Sequence, residues 1–297
     1  MIVSPDIEKI LDSISTNRMD GATSLAGRAL DALDALARSL PPECTGIEAR
    51  SLASHIDALR PSVASIGVQA VLAVARAESL AAQGMPWSRA LAEAVRKERE
   101  TLGQADEAIA AIAARNVGRG GAVVSCSWSV TALRAIMALQ PAIVRVGHGW
   151  PLADGLRSAS WLAARGLKTE VLPDGCLAAA MDGARIVLVG ADHVLADGSV
   201  VNRASTFPLA LLARHADVPF YAACQRIKLG GRVRPQIEEQ DGAFGLLPDG
   251  VTGRAPLFDV TPAHLVTAVI TESGMLEAAE AGEIGRSIDA LRRRILG

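Results

Sequence analysis

The hydrophobic period of this chain changes at Gly118-Arg119-Gly120-Gly121, and that change constrains the fold more than any other feature. Beyond it, short apolar runs alternate with helical segments. Ala122 to Ser125, Ala142 to Val146, Thr169 to Leu172, Ile186 to Val189 and Val218 to Ala222 read as strands. Ser129 to Leu139, Gly155 to Arg165, Cys176 to Asp182 and Phe207 to His215 read as the helices between them. Parallel neighbours need a crossover, and a helix is the usual one. The alternation therefore predicts a parallel sheet covered on both faces, with right-handed connections. Before the change the period is helical throughout. Ala22 to Leu40 ends at Pro41-Pro42, and Ile47 to Leu59 ends at Pro61. Val63 to Gln83 and Trp87 to Arg115 follow, the last with Lys97, Glu98 and Glu100 on its wet face. The expected class is α/β, with a helical N-terminal domain over residues 1–117 and a parallel-sheet domain over residues 118–297.

Near the end, Phe258-Asp259-Val260-Thr261-Pro262 leads into an expected helix from Ala263 to Thr271, and a last helix covers Glu283 to Ile295. Its Arg292-Arg293-Arg294 run suits the negative end of a helix dipole, and reads as capping rather than nucleic-acid contact. A length of 297 residues suggests one large or two moderate domains, and half of the residues are apolar, enough for a substantial core. Aromatics are few, so Ala, Leu and Val fill that core, which favours helices and parallel strands over a β-sandwich. A formal net charge of −2 gives no footprint for nucleic acid. Cys44, Cys126, Cys176 and Cys224 form no CxxC pair or Cys/His cluster, so no metal is expected and reduced thiols of a cytoplasmic protein are the default. The N-terminus lacks the regions of a signal peptide. No apolar stretch approaches a membrane span, and no membrane contact is expected.

The chemistry concentrates in one segment. Val187-Leu188-Val189-Gly190-Ala191-Asp192-His193 brings an acid to the tip of a strand. Asn202-Arg203-Ala204-Ser205-Thr206 then puts an amide, a cation and hydroxyls where a helix should start. Ligands of open α/β sheets bind at the carboxyl ends of strands. Helix N-termini there favour phosphate through free N–H groups and the dipole. The segment thus reads as an acid beside an anion-binding corner. The alternatives are that Asp192 caps a loop, Asn202 starts a turn and Arg203 is a solvated charge.

Gly190-Ala191-Asp192, the Asp197-Gly198 turn and Asn202-Arg203-Ala204-Ser205-Thr206 resemble the signature of the superfamily that joins the initiation factor 2B alpha/beta/delta subunits to the aldose-1-phosphate isomerases. Arg203 stands for the usual Lys and Ser205 for the usual Gly. The resemblance is clearest from Ala122 to Gly274 and includes Pro219-Phe220-Tyr221, Phe258-Asp259-Val260-Thr261-Pro262 and Ile270-Thr271-Glu272-Ser273-Gly274. Cys224-Gln225-Arg226-Ile227-Lys228-Leu229 looks more like the initiation factor or ribose-bisphosphate isomerase members. The resemblance implies a Rossmann-like C-terminal domain, a homodimer through that domain, a phosphorylated sugar or nucleotide as ligand, and no cofactor.

It also implies two catalytic groups: a cysteine after the first sheet strand and the aspartate of Gly-Ala-Asp. Moving hydrogen between C1 and C2 of an opened sugar needs such an acid/base pair. The turn here is Val124-Ser125-Cys126-Ser127-Trp128-Ser129. Ser127 takes the cysteine position, Cys126 the histidine position and Trp128 the asparagine position. The expected catalytic residues are Asp192 and the displaced Cys126. Ser127, Asn202, Arg203, Thr206, Lys228 and Trp150 are the expected binding residues. His148-Gly149-Trp150-Pro151 and Asp154-Gly155 replace the isomerases' Glu-Thr-Arg-Pro and Gln-Gly, so Trp150 takes an arginine position. Asp20-Gly21-Ala22 replaces an Arg-Gly-Ala element. Two bidentate phosphate partners are missing. Trp128 and Trp150 either pack as core or stack a ligand, and His148 or His193 could supply a lost acid/base group. Two functions follow: a binding protein with a degenerate isomerase site, or an isomerase with a rearranged acid/base pair.

Overall fold

The computed structural model describes residues 4–17, 21–41, 44–60, 63–230 and 239–297. Pro42, Pro61 and the Asp20 of Asp20-Gly21-Ala22 lie outside the described residues. The chain divides into two compact units, one of residues 1–104, 227–231 and 284–297, the other of residues 105–226 and 232–283.

The first unit is helical. It holds α1 (Pro5–Thr16), α2 (Ala22–Ser39), α3 (Ile47–Leu59), α4 (Ser65–Ala82), the first part of α5 (Trp87–Asn116) and the last part of α9 (Ala278–Leu296). Helix α1 begins where the Ser4 hydroxyl accepts the Ile7 amide at 3.4 Å and Pro5 stands in the first turn. Leu25, Leu30 and Leu33 of α2, Leu52 and Ile56 of α3 and Ile66, Val71 and Val74 of α4 share one core. Each buried side chain of this size contributes about 1.5–3 kcal/mol.

Three expectations for this unit need correction. Helix α4 is, among the described residues, one helix long and apolar enough to cross a membrane, although no segment was expected to come near that. It packs on α2 and α3, and its apolar surface is spent on the core. Glu98 is not on a wet face: it is 7% exposed and accepts from Arg76 Nε at 2.7 Å and Gln69 Nε2 at 3.2 Å. A helical period cannot distinguish a solvated acid from one met by partners on another helix. The arginine run of α9 also does more than face a dipole. Arg292 reaches Asp57 at 2.6 Å, and Arg294 reaches Glu78 at 2.7 Å.

The second unit is an α/β sheet domain. Its strands are β1 (Ala122–Ser125), β2 (Ile143–Gly147), β3 (Thr169–Leu172), β4 (Ala184–Gly190), β5 (His193–Val194), β6 (Val200–Arg203), β7 (Phe220–Ala223), β8 (Phe258–Thr261), β9 (Ala268–Thr271) and β10 (Gly274–Leu276). Its helices are α6 (Val130–Leu139), α7 (Asp154–Ala163) and α8 (Thr206–His215). The main sheet runs β10-β9-β7-β4-β1-β2-β3, parallel except for β10. Numbered among themselves, its parallel strands have the Rossmann order 3-2-1-4-5-6. The order reverses between β1 and β4, and the crevice of such a sheet opens there, at the strands' carboxyl ends. Strands β5, β6 and β8 form a separate antiparallel sheet.

The five expected strands are present as β1, β2, β3, β4 and β7. The segment from Cys176 to Asp182 is a 3-10 helix, Asp174–Met181, rather than an α-helix. The helix expected from Ala263 to Thr271 is a 3-10 turn, Ala263–Leu265, followed by β9. Ala-Val-Ile-Thr of β9 is buried at every position between β7 and β10. A four-residue run with three β-branched residues and two strand neighbours satisfies its backbone there better than as one helical turn.

Candidate functional site

Strands β1 and β4 lie side by side, with Val124 opposite Val187. Beyond β1 the chain turns through Cys126-Ser127-Trp128 into α6, whose first turn is capped by Ser129 Oγ accepting from Ala132 N at 3.3 Å. Beyond β4 it runs through Gly190-Ala191-Asp192. A Cβ on Gly190 would fall 2.5 Å from Ser129 Cβ, so the glycine of Gly-Ala-Asp is needed for the two turns to pass. Asp192 is half-buried and held by its own backbone, its N–H donating to Val201 O at 2.9 Å. No described residue donates a hydrogen bond to its carboxylate.

Asn202 and Arg203 do not stand at a helix start, as expected; they are the last residues of β6. Thr206 opens α8. This places Asn202, Thr206, Cys126 and Ser127 in one buried cluster. Asn202 Nδ2 donates to Thr206 Oγ1 at 3.0 Å and to Ser127 Oγ at 3.4 Å. Thr206 Oγ1 donates to Arg203 O at 2.6 Å, and Cys126 Sγ lies 3.3 Å from Thr206 Oγ1. Ser127 holds a left-handed backbone, φ 64°, and its carbonyl accepts from Ser158 Oγ at 2.5 Å. A non-glycine residue in that conformation is strained, and such strain concentrates at functional sites.

Burial pushes the Cys126 thiol up to about 12; the Thr206 hydrogen bond opposes this, while Asp259, Asp154 and Asp174 add to it. Cys126 is therefore a neutral thiol at physiological pH, not a thiolate.

Two carboxylates that were not expected as site residues dominate the electrostatics. Asp259 lies on β8, opposite Asn202 in register, and its Oδ2 accepts the Phe207 amide at 3.0 Å. Burial raises its pKa to about 7, against the backbone amides of Phe207, Ser205 and Thr206, which favour its charge. Its Oδ1 is buried without a hydrogen-bond partner. Pro208, next along α8, has no N–H. The helix start that was expected to receive an external anion thus already faces the chain's own. Asp154, the first residue of α7, lies 3.7 Å from Arg203 Nε, and the Arg203 guanidinium also sits over the Phe258 ring at 4.5 Å. Burial raises the Asp154 pKa, and Arg203 is the largest opposing influence. Both acids carried weak sequence signals: an acid between apolar neighbours in a strand, and an acid before the Gly155 that starts a helix.

The remaining expected residues have surroundings of their own. Trp150 is 42% exposed and packs against Phe244, ring centres 4.8 Å apart, while Asp174 accepts its amide at 2.8 Å. Trp128 carries the Arg157 guanidinium 3.9 Å over its ring. Lys228 is buried in the 3-10 turn Arg226–Lys228 and falls in the helical unit. Recesses of about 610 and 840 Å³ also occur in the helical unit. Their arginines, Arg50 and Arg294, are both paired with Glu78.

Residues 18–278 match the Initiation factor 2 subunit family. A putative translation initiation factor eIF-2B subunit 2-like protein of Pyrococcus abyssi is 30% identical over 92% of this chain and 97% of its own. A methylthioribose-1-phosphate isomerase of Chloroflexus aurantiacus is also 30% identical, over 86% of this chain and 81% of its own. Among solved structures, a Pyrococcus horikoshii translation initiation factor eIF-2B superposes with a TM-score of 0.73 at 26% identity, covering 92% of this chain and 97% of that one. With the Rossmann strand order and the Gly-Ala-Asp turn after β4 already described, the extent of these matches means that the chain belongs to the initiation factor 2 subunit family.

Proposed function

We propose that this protein binds a phosphorylated sugar or nucleotide at the carboxyl edge of β1 and β4 and does not isomerise it. The observation that carries the reading is the state of Cys126. Its thiol is buried, neutral up to about pH 12 and engaged with Thr206. An acid/base group must exchange a proton near neutrality within reach of the substrate, and the burial of this thiol works against both. Ser127, at the position where the resemblance places a cysteine, is a weaker acid still. Asp192, Arg203 and the crevice at the switch point support ligand binding. The relatives named for their action on sugar phosphates supply the ligand class.

The second reading is an isomerase in which Asp192 works with a different partner. It is favoured by the Asp192 carboxylate, which stands at the switch point without a hydrogen-bond donor among the described residues. A phosphorus and proton NMR time course separates the two. The protein is mixed in parallel with ribose 1,5-bisphosphate, ribose 1-phosphate, methylthioribose 1-phosphate and AMP. Line broadening without new resonances is expected. Ketose-phosphate resonances that vanish with Asp192→Asn would establish the isomerase instead.

A further inference from the structure

The cation that the crevice offers to an anionic ligand is already matched within the chain. Arg203 Nε lies 3.7 Å from Asp154 Oδ2, and the side chains are 33% and 17% exposed. Asp154 is not a surface acid that happens to reach an arginine. The backbone amides of Trp128, Gly155 and Asp154 itself favour its charge. The chain around it is shaped to admit the carboxylate. Gly149 has φ +80°, and a Cβ there would fall 2.1 Å from Asp154 Oδ1. A Cβ on Gly155 would fall 1.8 Å from Gly147 O, so α7 can start this close to the end of β2 only with glycine there. Asp174 secures the same turn by accepting the amides of Gly149 and Trp150. Two glycines thus leave room for this carboxylate beside the guanidinium.

We propose that Asp154 determines the ligand specificity of this crevice by acting as an internal counter-anion on Arg203, so that an anionic ligand group binds only by exchanging with the Asp154 carboxylate. The proposal rests on the reading of the crevice as a ligand site and names how that site selects. A simple oxyanion competes poorly with a carboxylate that is covalently tethered and already desolvated. A sugar phosphate competes because its hydroxyls add hydrogen bonds that the free anion lacks. The crevice therefore rejects inorganic phosphate and sulfate and accepts anions that carry a polyol.

The test titrates inorganic sulfate into the full chain while following the Arg203 Nε–H resonance. Wild type is expected to show no saturable shift up to about 20 mM sulfate, whereas Asp154→Asn gains one, with affinity at least about tenfold tighter, which is the worth of 1.4 kcal/mol. The response is lost again in Asp154→Asn combined with Arg203→Gln. Should Asp154→Asn disturb the start of α7, Asp154→Ser keeps a short acceptor there and decides in the same way. Equal sulfate affinity in wild type and a folded Asp154 variant overturns the proposal. A separate arm adds ribose 1,5-bisphosphate to wild type. Absence of binding there removes the ligand reading and leaves the sulfate result standing, while equal sulfate affinity removes the counter-anion whatever the sugar phosphate does.

Discussion

The Cys126 thiol and the Thr206 hydroxyl lie 3.3 Å apart, joining the turn after β1 to the first residue of α8. Burial keeps the thiol protonated against the influence of this contact, whereas Cys176 is exposed. Iodoacetamide at pH 7.5 is therefore expected to modify Cys176 first, with Cys126 reacting only as the protein opens. Mass spectrometry of a labelling time course checks this; equal labelling rates would contradict a buried neutral thiol.

Thr206 is the hub of the buried cluster. Thr206→Val keeps the shape and removes the nearer acceptor for Asn202 Nδ2, leaving this buried amide only its longer bond to Ser127 Oγ. The expected loss is about 1–3 kcal/mol. Thr206→Ser retains the hydroxyl and is expected to lose less. Urea unfolding of both variants measures the difference.

Asp259 should make stability depend on pH. Its carboxyl titrates near 7 in the folded chain, against about 3.9 when unfolded. Between these values the folded state holds a proton that the unfolded state has released, so stability falls as pH rises from about 4 to 7 and levels off on either side. Asp259→Asn, which does not titrate, is expected to flatten that slope. Denaturant melts from pH 4.5 to 8 provide the comparison, and the carboxyl carbon resonance of Asp259 gives the midpoint directly.

Ser205 occupies the position where the resembling proteins carry glycine, and its φ is 83°. A side chain in that conformation costs about 1–2 kcal/mol, and glycine avoids it. Ser205→Gly is expected to raise stability by about 1 kcal/mol, the extra backbone entropy of the unfolded glycine offsetting part of the gain. An unchanged or lowered melting temperature would show that the serine side chain compensates.

Gly155→Ala is expected to be far more costly. The added methyl meets the Gly147 carbonyl rather than a side chain that can rotate away. The start of α7 must shift, at about 3 kcal/mol, and Asp154 shifts with it. Thermal unfolding and the Arg203 Nε–H resonance report the two consequences.

The sequence by itself determined the α/β class, the parallel strands β1 to β4 and β7, and the arrival of Gly190-Ala191-Asp192 at a sheet edge. These follow from local period and from glycine, which act over a few residues. It did not determine β9, whose four buried residues are indistinguishable from a helical turn until β7 and β10 flank them. Nor did it show that Glu98 is buried, since its partners Gln69 and Arg76 come from another helix. The electrostatic character of the crevice lay furthest from view. Arg203 and Thr206 read in the sequence as an expected anion-binding corner, but the acids that face them, Asp154 and Asp259, lie about 50 residues away along the chain. Hydrogen bonds and ion pairs depend on distance in space, and only the tertiary fold brings those carboxylates to the cation and the helix start.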